Sequence, residues 1–353
     1  MASPREPAAT LTQARPGAAD APPAVLGAEY TTPADGLFVR SHGDIPHVDP
    51  AAYRLEVRGL VRQPLSLSME MLRARFVPTT VTALLRCPGP RDGDPGSSGR
   101  PAWDQVPEAA GNADWTGARL GDVLQSAGVS PAAAHVAFTG LDRGADGGPR
   151  FGGSIPLDKA LAGEVLLAYL CNGAPLAPEH GFPLRVLVPG YIGARSVKWV
   201  GEVNVQAAPS DSYYQAHWAH FDASEAGGGA TGAAAIGPLF LDAVIWEPAD
   251  GETVPAGPVR VSGYAVAAEP FDLTRVEVSP DDGESWVKAT WLDGEQQWGW
   301  RRWAAEVRLA PGRQRLAARA WDRHDRTQSP EGRPPSAAGS TPRAWRRIEV
   351  EAR

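Results

Sequence analysis

The pattern of apolar and polar residues changes character once along the chain, near residue 237. Before it the pattern is mixed. Ser68 stands as an N-cap ahead of Met71 and Leu72, which predicts a short helix. Leu120, Val123, Leu124 and Ala127 recur at helical spacing, and Gly128 is placed to end that helix. Strand-like runs surround these helices: Tyr53–Val57, Val165–Leu170, Arg185–Val188 and Val197–Val205. Helices and strands interleave without a regular β-α-β repeat, so the expected class is α+β.

Beyond the change, apolar residues alternate at period two. Val259 and Val261, Val276 and Val278, and Trp303, Ala305, Val307 and Leu309 follow this rule. So do Leu316, Ala318 and Ala320, and then Ile348 and Val350. Pro280-Asp281-Asp282-Gly283 reads as a hairpin turn. Short strands at this spacing predict an all-β, immunoglobulin-like sandwich. Eight of the twelve tryptophans lie between Trp246 and Trp345, which suits sandwich core and interface anchors. The Gly/Ala stretch within 225–237 has no periodicity and reads as a linker. The expected organisation is a tail at 1–30, an α+β domain at 31–206, a junction and linker at 207–237, and the sandwich at 238–353.

Composition narrows the function classes. A net charge of −7 speaks against a nucleic-acid surface, which needs a basic stripe. No apolar run approaches the roughly 20 residues of a membrane span. Met1–Asp20 has no apolar core of a secretory signal. The expected compartment is therefore the cytoplasm, or the periplasm or another extracytoplasmic space if a leader has been removed. The two cysteines, Cys87 and Cys171, form no CxxC pair. Cys171 reads as a small buried hydrophobe, and the surroundings of Cys87 suggest more. Phosphate-cradle, HExxH and G-x-S-x-G motifs are absent, and the Gly144–Gly148 segment reads as a loop.

The chemistry lies in segments that follow one another in a fixed order. Phe38-Val39-Arg40-Ser41-His42 comes first, then Val48-Asp49-Pro50, Tyr53-Arg54-Leu55 and the run 79–87 ending in Cys87. Gly111–Trp115 leads into Gly117–Leu120, followed by Gly140-Leu141-Asp142 and Ser154-Ile155-Pro156. Asn172-Gly173, His180–Arg185 and Gly193–Trp199 complete the series. In this order the segments resemble the molybdenum-cofactor domain of the sulfite oxidase family, which also includes eukaryotic nitrate reductase. The resemblance covers about residues 36–206. The remainder resembles that family's immunoglobulin-like dimerisation domain.

The resemblance implies a molybdopterin-binding domain of sulfite oxidase fold, a homodimer, and two-electron oxo transfer at a molybdenum-pterin cofactor. A soft metal favours a thiolate, and the resemblance gives that role to Cys87. The cofactor's phosphate favours cations and directed donors. Phe38, Val39, Arg40, Ser41, His42, Asp142, His180, Arg185, Ser196, Val197 and Lys198 match the family's cofactor-binding positions. Arg40 and Arg91 would hold the substrate, and Trp103 would shape its wall. No haem-binding segment is recognisable, so electrons would leave to a separate carrier such as a cytochrome.

The substrate side departs from the family. After its cysteine the family typically reads Ala-Gly-Asn-Arg-Arg, whereas Cys87 is followed by Pro88-Gly89-Pro90-Arg91-Asp92. Asp92 thus stands where a second arginine is expected. Ala219 aligns with the family's active-site tyrosine, for which Tyr213, Tyr214 or His220 are substitutes. Ala338 takes the place of a basic residue from the dimerisation domain. A charge pair at about 4 Å is worth roughly 4 kcal/mol at an effective dielectric near 20. Losing two cations and gaining an acid therefore weakens dianion binding. Sulfite is the default substrate. The rivals are reduction of nitrate, an S-oxide or another oxo compound, and a cofactor-carrying interaction protein with degenerate catalysis.

Overall fold

The computed structural model describes residues 29–41, 43–87, 109–144, 147–216, 237–267, 272–295, 297–331 and 344–353. The first half contributes β1 (Leu55–Gly59), β2 (Leu65–Leu67), β3 (Pro78–Cys87), β4 (Ala109–Arg119) and β5 (His135–Arg143). It continues with β6 (Arg150–Pro156), β7 (Leu166–Cys171), β8 (Ala174–Pro175), β9 (Arg185–Leu187) and β10 (Val200–Gln206). These strands form two sheets, one ordered β2-β1-β10-β5-β6 and one ordered β3-β4-β7-β8, with β9 also on β7.

The two expected helices are present at Met69–Arg75 and Leu120–Ala127. Ser68 Oγ accepts a hydrogen bond from the Met71 N–H at 3.1 Å, satisfying one of the helix's orphan donors. Gly128 ends the second helix at φ +73°, a left-handed conformation that costs glycine little. The apolar faces of both helices, through Met69, Leu72, Leu120, Val123, Leu124 and Ala127, join the main core with Leu55, Val57, Val136 and Phe138.

The second half forms a sandwich, as its period-two pattern predicts. One sheet runs β11-β13-β17-β16: β11 (Asp242–Glu247), β13 (Gly257–Val266), β17 (Arg301–Leu309) and β16 (Thr290–Trp291). The other runs β12-β19-β18-β14-β15: β12 (Thr253–Val254), β19 (Arg346–Ala352), β18 (Gly312–Asp322), β14 (Leu273–Ser279) and β15 (Val287–Lys288). Val259, Val261, Val276, Val278, Trp303 and Val307 point into its core. The Pro280–Gly283 turn joins β14 to its antiparallel partner β15, with Asp282 and Gly283 both at positive φ.

A separate apolar cluster joins the halves. Leu84 and Ile192 from the first pack with Leu239, Val244, Trp246, Tyr264, Val266 and Trp300 from the second. The backbone also crosses this junction, where the Leu84 N–H donates to the Trp298 carbonyl at 3.0 Å.

Candidate molybdopterin site

Cys87 is the last residue of β3, which pairs with β4 in antiparallel register from Pro78–Ala118 to Cys87–Ala109. Side chains alternate across a strand, so Leu85 and Cys87 share one face. Both line a cavity with Phe38, Arg40, Ser41, Asp142, Phe151, His180, Arg185, Gly193, Ala194, Ser196, Lys198 and Trp199. Its open space, mouth and adjoining solvent included, is about 720 Å³.

Two groups of lining residues differ in chemistry. In one, Arg40 Nη1 donates to Cys87 Sγ, and a cation beside a sulfur favours the thiolate that a soft metal binds. The other is a cluster of basic residues. The buried Arg185 donates from Nη1 to the His180 carbonyl at 3.1 Å and from Nη2 to the Ser196 carbonyl at 3.0 Å. Its guanidinium lies 4.9 Å from the centre of the Trp115 ring. Lys198 Nζ donates to Ser41 Oγ at 2.7 Å and to the Glu179 carbonyl at 2.8 Å.

Burial outweighs the pull of the nearby carboxylates Asp142 and Glu179 on these groups, and their acidities record it. Burial, reinforced by Arg185, draws Lys198 down to about 7. Burial together with Arg185 and Lys198 draws His180 down to about 4. Burial alone lowers Arg185 to about 10. His180 Nε2 lies 3.2 Å from the Ala34 carbonyl, which can only accept. The neutral ring thus carries its proton on Nε2 and leaves Nδ1 as an acceptor. An anion entering the cluster would offset part of the burial cost of every cation in it.

Asp142 supplies the opposite polarity. It is 5% exposed, and its Oδ1 has no hydrogen-bond partner among the described residues. Burial raises it to about 6, against the pull of Lys198 and Arg150. An orphaned acceptor on a cavity wall suits a ligand that carries N–H groups. A soft sulfur, a cluster of basic side chains and a buried carboxylate lining one cavity fit a metal–pterin cofactor that ends in a phosphate.

Nine residues assigned from the sequence line this one cavity: Phe38, Arg40, Ser41, Cys87, Asp142, His180, Arg185, Ser196 and Lys198. Val39 does not line it, and the Val197 side chain packs into the main core instead. His42, Arg91, Asp92, Trp103, His220, Ala219 and Ala338 lie outside the described residues. Tyr213 and Tyr214 do not reach the cavity. Tyr214 packs behind Phe151 with ring centres 5.0 Å apart, and Tyr213 meets Tyr214 edge-on at 5.4 Å. Leu85, Phe151, Gly193, Ala194 and Trp199 also line the cavity, beyond the residues assigned from the sequence. Leu85 is signalled in the sequence by its position two residues before Cys87 on the same strand face.

Comparison with known proteins agrees with this chemistry. Residues 42–214 match the family model of the oxidoreductase molybdopterin binding domain, and residues 233–353 match that of the Mo-co oxidoreductase dimerisation domain. Mitochondrial sulfite oxidase of Homo sapiens is 40% identical over 338 residues, which cover 88% of this chain and 59% of that protein. The chain therefore spans about six-tenths of that relative's length. The NAD(P)H nitrate reductase of Hordeum vulgare is 34% identical over 361 residues, covering 93% of this chain and 40% of that protein. Among solved structures, the sulfane dehydrogenase SoxCD of Paracoccus pantotrophus superposes with a TM-score of 0.72 at 27% identity. That match covers 87% of this chain and 77% of the other. Fold and site together define a molybdenum-cofactor oxidoreductase. The chain belongs to the sulfite oxidase family.

Proposed function

We propose that the protein catalyses two-electron oxo transfer, with sulfite oxidation to sulfate as the first substrate to test. The supporting observation is Cys87 and Arg40 in contact on the wall of a cavity that Arg185, Lys198 and His180 also line. The bound cofactor would supply the redox chemistry, and the chain would hold and orient it. Cys87 would give the metal its protein thiolate. Arg185 and Lys198 would hold the terminal phosphate, and Asp142 would accept from the pterin N–H groups. Arg40, in contact with Cys87 and on the cavity wall, would draw an oxo-anion toward the metal. Sulfite plus water becomes sulfate, two protons and two electrons, so an electron acceptor is needed, and a carrier such as a cytochrome would take that part. Two chains would pair through the sandwich, and a monomeric mass in light scattering at micromolar concentration would contradict that.

A second reading, in which the substrate is a less charged oxo compound, rests on Asp92, Ala219 and Ala338. A substrate panel with artificial electron carriers separates the two. Sulfite turnover supports the first reading. Reduction of nitrate or an S-oxide without sulfite turnover supports the second.

A further inference from the structure

Next to Cys87, on the opposite face of β3, Arg86 points away from the cavity and into the junction between the halves. Its side chain is fully buried and forms an ion pair with Asp242 of β11, which is fully buried as well. Asp242 Oδ1 accepts from Gln328 Nε2 at 2.9 Å. Gln328, 1% exposed, is itself fixed in the sandwich. Its Oε1 accepts from the Ala320 N–H at 2.8 Å, and its carbonyl accepts from Trp345 Nε1 at 2.8 Å. The surroundings are the apolar junction cluster of Leu84, Val244, Tyr264 and Trp300.

A buried ion pair in such a place contributes little net stability, because desolvation offsets most of its Coulomb energy. Its value lies in fixing geometry. Cys87 is the last described residue of β3. One residue upstream, the Arg86–Asp242–Gln328 chain ties that strand to the sandwich. The Leu84–Trp298 backbone hydrogen bond adds a second tie. Gly193, on the cavity wall, closes the other side, since a Cβ there would stand 3.2 Å from the Arg86 carbonyl oxygen.

We infer that Arg86, Asp242 and Gln328 form an interdomain strut that sets the position of the Cys87 sulfur. Arg86 and Asp242 are then positioning residues, and the sandwich takes part in the metal site as well as in any pairing of chains. This inference rests on the reading of Cys87 as the metal's ligand.

The test uses the purified full chain with its cofactor and compares Arg86→Met, Asp242→Leu, the double variant and Arg86→Lys. Thermal unfolding, molybdenum content and the Mo(V) electron paramagnetic resonance spectrum are read beside kcat and KM. Each single Met or Leu variant strands one buried charge and melts well below the parent. The double variant strands none and melts near the parent, yet its Mo(V) g-values shift and kcat falls about 10- to 100-fold at similar KM. Arg86→Lys keeps the charge with a different reach and gives a smaller shift in the same g-values. Parental g-values and kcat in both Arg86→Lys and any folded double variant overturn the strut. If the double variant does not fold, Arg86→Lys alone decides. Cys87→Ser is the control for the underlying reading. Unchanged molybdenum and g-values in that variant contradict Cys87 as ligand, whatever the strut variants show.

Discussion

Lys198 carries the most perturbed side chain of the site, and its perturbation has a direction that solution measurements can follow. Its folded value of about 7 lies below the ordinary 10.5, because burial beside Arg185 disfavours the charged form. Between these values the unfolded chain holds a proton that the folded, cofactor-free chain does not. Stability therefore rises with pH across that window, and the gain is lost as pH falls through 7. Cys171, raised to about 11 from 9.0, opposes this only above pH 9. From pH 7 to 9 the cofactor-free protein should gain on the order of 1 kcal/mol, a few degrees of Tm. Lys198→Met should flatten the slope in calorimetry, and so should the bound cofactor, whose phosphate restores the lysine's charge. An equal slope in Lys198→Met would contradict the assignment. The sequence made these polar residues legible because each sits in an ordered motif. The apolar walls at Phe151 and Ala194 carry no such mark, since their place depends on how distant strands cross.

Single elements hold the site through a few tight contacts. The turn Pro178–His180 ends at Gly181, whose φ is +103°. A Cβ there would approach the Cβ atoms of Arg185 and Lys198 to 3.1 Å each. Gly181→Ala should cost about 1–2 kcal/mol for the left-handed backbone, and it should also push both cations off their carbonyl acceptors. The expected outcome is a lower Tm together with reduced molybdenum retention. Loss of Tm with parental retention would show the turn to be structural only. At this scale the sequence is legible only where the signal is local. Caps and turns are local, so Ser68, Gly128 and Pro280–Gly283 announced their elements. The long β3–β4 pairing is non-local, so the run ending in Cys87 carries its motif in the sequence but not its place in a sheet.

Across the whole molecule, β3, β5, β9 and the loops beside them, far apart in the chain, contribute side chains to one cavity. Period-two alternation sufficed to read the sandwich, because a half-buried sheet imposes that pattern on every strand. The junction was not legible. Leu84, Arg86, Asp242 and Trp300 look like ordinary strand residues until the two halves are placed together. The substrate side is separate from all this, since Arg91, Asp92 and Trp103 lie outside the described residues. The central claim is that this cavity binds a molybdenum cofactor through Cys87. Metal analysis of the purified chain and its Cys87→Ser variant tests it most directly. Stoichiometric molybdenum in the parent and its loss in the variant are expected; a parent without molybdenum, or a variant that retains it undiminished, would contradict that claim.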